Sequence, residues 1–235
     1  MNAYPGGPGA AVSESEVAIP TASGARVFGT LARPQHARGL VIFAHGSGSS
    51  RFSARNRFVA SALNEAGFAT LLMDLLTAAE ERVDELTREH RFDIGLLAGR
   101  LVEAIDEARR WTATRDLPIG LFGASTGAAA AIAAAAERPR EVFAVVSRGG
   151  RPDLAGAALN EVRAPSLFIV GGADREVLEL NRGAMTRMRA TVALEIVPGA
   201  SHLFEEPGAL QRVAVLARAW FERRLPASPA EQGAC

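Results

Sequence analysis

Five consecutive residues, Gly123-Ala124-Ser125-Thr126-Gly127, surround a hydroxyl nucleophile with neighbours too small to obstruct it. They follow the apolar run 119–123 and open an alanine-rich stretch that reaches Glu137. A serine on a sharp strand-to-helix turn stands at the positive end of the helix. The N–H that follows it then faces a developing oxyanion. A serine hydroxyl is a weak nucleophile until a base takes its proton, so a histidine and an acid are needed farther along. Asp174 follows the apolar run 166–171 through Gly172-Ala173, and His202 follows the run 193–197 through Pro198-Gly199-Ala200-Ser201. Each sits just past a strand-like run, as Ser125 does, and a parallel sheet would bring all three to one edge. Ser125 is the expected nucleophile. His202 is the expected base, returning the proton to the leaving group, and Asp174 the acid that orients it. Glu176 is the alternative acid and Asp153 a weaker one. His36 and His90 are poorer candidates for the base.

The run 39–44 leads into His45-Gly46-Ser47-Gly48-Ser49-Ser50. Such a turn lets backbone N–H groups face a site without side chains in the way. The N–H of Ser47 is the expected second oxyanion donor, with Gly48 as alternative, and Thr126 supplies the first. His45 is expected to bond the backbone around the turn. A phosphate cradle is the other reading of this loop, but the flanking motifs fit acyl transfer better. Gly46, Gly48, Arg51 and Arg148 are the candidates for lining the substrate. Arg148 or Arg151 could hold an anionic group, the plainer alternative being surface ion pairs.

These residues need a frame. Continuous apolar runs at 39–44, 68–74, 119–123, 142–147, 166–171 and 193–197 suit strands buried on both faces of a parallel sheet. Residues 17–20 and 26–33 flank Ser23-Gly24 and read as an antiparallel hairpin. Between the runs lie 3.6-residue apolar stripes. One is Phe58, Val59, Ala62, Leu63 and Ala66; a second runs from Ile94 to Ala108; a third from Leu210 to Phe221. The alternation predicts an α/β fold, a mainly parallel sheet flanked by helices. Residues 13–225 read as a single domain, with disordered ends at 1–12 and 226–235. Only about twenty residues, from Arg148 to Pro165, separate two late strands, too few for a large cap domain.

Composition excludes other chemistries. All 26 basic residues are arginine, matched by 26 acidic ones. Without lysine there is no Walker-type phosphate loop, Schiff base or Ser–Lys pair. The single cysteine, Cys235, allows no internal disulfide or Cys-based zinc site. No metal or cofactor is expected. Zero net charge argues against nucleic acid as partner. No stretch reads as a membrane span or signal peptide, so the expected location is cytoplasmic. The oligomeric state is not legible.

Taken together, Ser125, Asp174, His202 and the 45–50 turn resemble the α/β-hydrolase superfamily, over about Val17 to Leu225. Within it the chain is similar to the dienelactone-hydrolase-like branch, particularly bacterial hydrolases that also occur fused to phosphoribosyltransferase domains. The stretches His45–Arg51, Asp74-Leu75-Leu76-Thr77 with Glu80-Glu81, Ser147–Asp153 and His202–Gly208 carry this likeness. It implies a serine hydrolase of the carboxylesterase type, acting on a small-molecule ester with short or medium acyl groups through an acyl-enzyme. Two departures stand out. Dienelactone hydrolases use a cysteine nucleophile where Ser125 stands. They also place an arginine just after the catalytic histidine, where this chain has Glu205 and Glu206. A generic ester is therefore expected rather than the lactone. Acyl transfer to another acceptor, perhydrolysis or lactone hydrolysis on the same three residues are the alternatives. A non-catalytic ligand-binding protein on this fold is the alternative of a different class.

Overall fold

The computed structural model describes residues 11–227. In chain order its elements are β1 (Val12–Pro20), β2 (Arg26–Pro34), β3 (Gly39–Ala44), α1 (Ala54–Glu65), β4 (Phe68–Met73), α2 (Ala78–Thr87) and α3 (Ile94–Ala108). There follow β5 (Ile119–Ala124), α4 (Thr126–Glu137), β6 (Val142–Arg148), the four-residue α5 (Ala158–Glu161), β7 (Ser166–Gly171), α6 (Arg175–Met185), β8 (Val192–Val197) and α7 (Ala209–Arg224). The eight strands form one sheet in the order β1-β2-β4-β3-β5-β6-β7-β8. From β4 to β8 neighbours run parallel, whereas β1 pairs β2, and β2 pairs β4, antiparallel. This is the α/β-hydrolase architecture with an N-terminal antiparallel hairpin.

Every residue of β3, β4, β5 and β7 is buried. That is why these strands read as unbroken apolar runs: helices cover both faces, so neither face needs polar residues. On one face, α3 and α4 pack over Leu40, Ile42, Leu71 and Leu121. On the other, α1 and α7 pack over Val41, Phe43, Phe122 and Val146. α4 is almost wholly buried, and its alanines let it lie close to the sheet behind Ser125.

The sequence expectation fell short in three places. β1 begins at Val12, five residues before the apolar run 17–20, so Val12 belongs to a strand rather than to a disordered end. Its first five residues are exposed and held by backbone pairing with β2, which leaves no hydrophobic signal. α6 buries only Val177, Asn181 and Ala184, too few for a stripe to show. α2 buries only Asp84. The expected ends at 1–10 and 228–235 lie outside the described residues. Among the described residues, no helix is long and apolar enough to cross a membrane.

Phe221 of α7 ties its face together. It is fully buried, with its ring centroid 6.2 Å from that of Phe68 and 6.0 Å from that of Phe143. A side chain on Gly120 would meet it at 2.7 Å, which is why β5 carries glycine there. Truncation to Phe221→Ala removes a large ring from a close-packed site and is expected to cost about 3–5 kcal/mol. Urea unfolding of the two proteins measures it; a loss under about 1 kcal/mol would mean the core collapses around the gap.

Candidate active site

β5 ends at Ala124, and α4 begins at Thr126, so a single residue turns the chain. That residue is Ser125, held at φ 50 and ψ −123. A non-glycine residue at such φ is strained, and such strain persists only where the surroundings enforce it. Two close approaches do the enforcing. A Cβ on Gly123 would collide with the Ala128 backbone, and one on Gly127 with the Ala44 carbonyl. The Ser125 N–H donates to the Arg148 carbonyl at 3.2 Å, and the Ser125 carbonyl accepts from Ala128 N–H at 3.1 Å. The backbone is thus fixed and the hydroxyl left to face the sheet's carboxyl edge.

Asp174 and His202 meet at the same edge. His202 Nδ1 lies 2.7 Å from Asp174 Oδ2. Asp174 sits at the N-terminal cap of α6 but makes no side-chain capping bond, so its carboxylate remains available to the imidazole. The histidine loop is held in a strained turn of its own: Phe204 has φ 57 and is 2% exposed. Gly149 follows Arg148, and a Cβ there would lie 3.0 Å from the His202 carbonyl and 3.3 Å from the Phe204 ring. Among the described residues no hydrogen bond joins Ser125 Oγ to His202. Catalytic hydrogen bonds are often long without substrate and tighten in the reactive complex. Of the alternative acids, Glu176 is exposed and Asp153 is taken up by Arg151, Oδ2 to Nη2 at 2.8 Å.

The 45–50 loop lies against the nucleophile. A Cβ on Gly46 would reach within 3.0 Å of Ser125 Cβ. Neither the Ser47 nor the Thr126 N–H bonds another protein group among the described residues, leaving both donors free for an oxyanion. Their hydroxyls are 3.0 Å apart and bridge the two loops. His45 secures the loop from beneath. Leu75 N–H donates to His45 Nε2 at 3.2 Å, so the ring proton is on Nδ1, which donates to the Gly46 carbonyl at 3.0 Å. Burial holds the His45 pKa below its ordinary value of 6.5, keeping the ring neutral. A small cleft lies beside the loop, between Gly46, Ser47, Thr126 and the apolar Leu75, Leu76 and Leu97.

The remaining sequence candidates divide. Gly48 lines the cleft. Arg51 turns away from the nucleophile; it pairs with Glu16 at 2.7 Å and Asp74 at 3.5 Å. It also lies over the rings of Phe28 and Phe52, so it struts the loop. Arg148 is 8% exposed and makes no ion pair among the described residues, which the surface-pair alternative did not anticipate. Arg151 has its partner in Asp153.

Three contributors were missed in the sequence. Asp84, 1% exposed, accepts from Arg91 N–H at 2.9 Å and from Arg91 Nε at 2.6 Å. The Arg91 carbonyl in turn accepts from Ser47 Oγ at 3.3 Å, so the segment after β4 braces the 45–50 loop. The polar run Thr77–His90 fits a rim of the site and a solvated charged helix equally well, so its composition did not single out Asp84. Phe204 carried no signal, because nothing in composition marks a positive φ. Asn56 at the start of α1 is 2% exposed and carries its amide to Arg148.

The comparisons with known proteins cover the same span. A Mycobacterium tuberculosis protein named as a phosphoribosyl transferase is 57% identical over 195 residues, which are 83% of this chain and 43% of that protein. The chain thus spans less than half the length of the curated relatives it matches. The crystal structure of a dienelactone hydrolase from Anabaena variabilis is 54% identical, covers 92% of this chain and 99% of its own, and superposes with a TM-score of 0.89. The esterase Est1E of Butyrivibrio proteoclasticus shares the fold at 17% identity, with a TM-score of 0.73 over 89% of this chain and 98% of its own. The model of the dienelactone hydrolase family matches residues 27–223, and the chain belongs to that family.

Proposed function

We propose that this hydrolase-family chain is a serine esterase working through an acyl-enzyme on Ser125. The observation that carries the reading is the strained Ser125 turn at the start of α4, on the sheet edge where His202 and Asp174 pair at 2.7 Å. In this scheme His202 Nε2 takes the Ser125 proton as Oγ attacks the ester carbonyl. The N–H groups of Ser47 and Thr126 hold the resulting oxyanion. His202 then protonates the leaving alcohol, the acyl group stays on Ser125, and a water activated by His202 releases the acid. Asp174 keeps the imidazole in the tautomer whose Nε2 can accept. Leu75, Leu76 and Leu97 beside the 45–50 loop offer an acyl chain an apolar wall.

Fluorophosphonate labelling and p-nitrophenyl butyrate turnover test this directly. Wild type should label and turn over, and Ser125→Ala should do neither. Labelling or turnover retained by Ser125→Ala would sink the assignment. Asp174→Asn preserves the shape but disturbs the tautomer, and is expected to lower kcat by about a hundredfold to ten-thousandfold. An unchanged kcat would mean that another group orients His202.

His45 gives a pH prediction. Its folded pKa is depressed, so below the ordinary value of 6.5 the unfolded chain binds a proton that the folded chain resists. The stability tied to a neutral His45 is fully present above about pH 6.5 and declines as pH falls below it. Protonation would also remove the acceptor for the Leu75 N–H. His45→Gln, which cannot titrate, should therefore lose less Tm than wild type between pH 7 and pH 5. Equal losses would show that His45 does not contribute to the acid limit.

A further inference from the structure

The backbone N–H and carbonyl of Ser125 are both held by the loop that follows β6. The Ser125 N–H donates to the Arg148 carbonyl at 3.2 Å, and the Arg151 N–H donates to the Ser125 carbonyl at 3.1 Å. Each of these loop groups belongs to a planar peptide unit whose opposite side is held too. The unit joining Arg148 and Gly149 donates its N–H to the Ile169 carbonyl of β7 at 2.8 Å. The unit joining Gly150 and Arg151 turns its carbonyl to Asn181 of α6, which donates from Nδ2 at 2.9 Å. β7 and α6 are the elements on either side of Asp174. Ser125 is thus joined to the elements that carry the acid by two short chains, each through one peptide plane. The first chain is backbone throughout. The second depends on a single side chain.

Packing alone does not call for asparagine at 181. The residue is fully buried, on the α6 face that otherwise buries Val177 and Ala184. Asparagine is a poor helix former, and a buried amide costs free energy wherever it lacks a partner. Its Oδ1 has none among the described residues. Its Nδ2 faces two carbonyls, Gly150 and, at 2.7 Å, Val177 one turn back. The side chain is therefore fixed to its own helix while it holds the loop. Gly150 is buried, so its carbonyl needs a donor. Asn181 also lies seven residues after Asp174, two turns along α6 and on nearly the same side. A shift of α6 would move Asp174, and with it His202, relative to Ser125. The bond to Gly150 opposes that shift.

We propose that Asn181 is a positioning residue that couples the Asp174–His202 pair to the Ser125 turn through the Gly150–Arg151 peptide. This rests on the esterase reading and adds to it a residue that touches neither substrate nor the reacting atoms. Without the amide donor the peptide is free to rotate and Ser125 loses its fixed placement. A displacement of about 1 Å at reacting groups costs about a hundredfold in rate.

The experiment measures kcat and KM for p-nitrophenyl butyrate. Asn181→Leu keeps the approximate size and removes the donor. Its kcat should fall by about tenfold to a hundredfold, with KM changed by less than about threefold. Phe221→Ala, whose ring packs near the far end of β5, is the control for lost stability and should keep its kcat well below its Tm. An unchanged kcat in Asn181→Leu overturns the proposal. So does a rise in KM alone, which marks a substrate contact, and so does an equal kcat loss in Phe221→Ala, which marks general destabilisation. Asn181→Ala also lacks the donor and supplies the comparison if Asn181→Leu does not fold; a wild-type kcat in it overturns the proposal. A second measurement needs no turnover. In the Asn181 variant the Ser125 and Arg151 amides should exchange hydrogen about tenfold faster than in wild type, while those of β4 keep their rate. Unchanged exchange at Arg151, or equal acceleration in β4, overturns the coupling. If wild type turns over no ester, the esterase reading fails while the exchange rates still decide whether Asn181 holds the Ser125 turn.

Discussion

The close approach of three backbones, at the ends of β3 and β5 and the start of α4, is the constraint on which the rest depends. Ser125 can occupy a positive φ only because the chain on either side is clamped. Gly127 lets α4 touch the Ala44 carbonyl, and Gly123 lets it touch β5. The strained conformation costs about 1–3 kcal/mol. That cost is met by the surrounding core, where fully buried alanines along α4 face fully buried strands. The same clamp brings the 45–50 loop against Ser125, since that loop continues directly from Ala44. Ser125 and the candidate oxyanion donors are therefore set by one packing event rather than two.

A second layer fixes what the clamp leaves free. His45 is bonded at both nitrogens, one to the loop it begins and one to Leu75 beyond β4. The Asp84–Arg91 pair grips the same loop from outside through Ser47. The two supports differ in kind. His45 must be neutral to accept from Leu75, whereas the other is ionic. A neutral, desolvated imidazole under the 45–50 loop adds no positive charge beside its N–H dipoles. The charged support lies on the outer side, where Arg91 retains contact with solvent.

Most of the frame was legible in the sequence because buried parallel strands and amphipathic helices leave periodic apolar traces. The strands predicted at 39–44 and 166–171 coincide with β3 and β7, and those at 68–74, 119–123, 142–147 and 193–197 differ from the observed strands by one residue at one end. The triad candidates were legible for a related reason: each follows a strand of one sheet, so chain order alone places them on one edge. What escaped was whatever is held without apolar burial. The start of β1 rests on backbone pairing, and α2 rests on one buried carboxylate. Phe204 is fixed by a dihedral angle that no composition encodes. Arg51 and Arg148 show the limit most clearly. Both flank the site in sequence, yet one points to carboxylates on β1 and just after β4 and the other into the protein. Side-chain direction at a loop or strand end depends on neighbours distant in sequence.

The costs are concentrated at one edge of the sheet. Ser125 and Phe204 are strained, and Arg148 is buried without a partner, all within the loops after β5, β6 and β8. Elsewhere Arg88 also has a positive φ, 62, at the left-handed C-cap of α2, and Arg100, Arg109 and Arg138 each have a carboxylate within 2.7 Å. A buried arginine without a carboxylate partner is a local departure, and stability alone gives no reason to keep it, since an apolar side chain of similar size would avoid the desolvation cost. The strain at Ser125 has a use in exposing a hydroxyl, and the strain at Phe204 has one in seating His202.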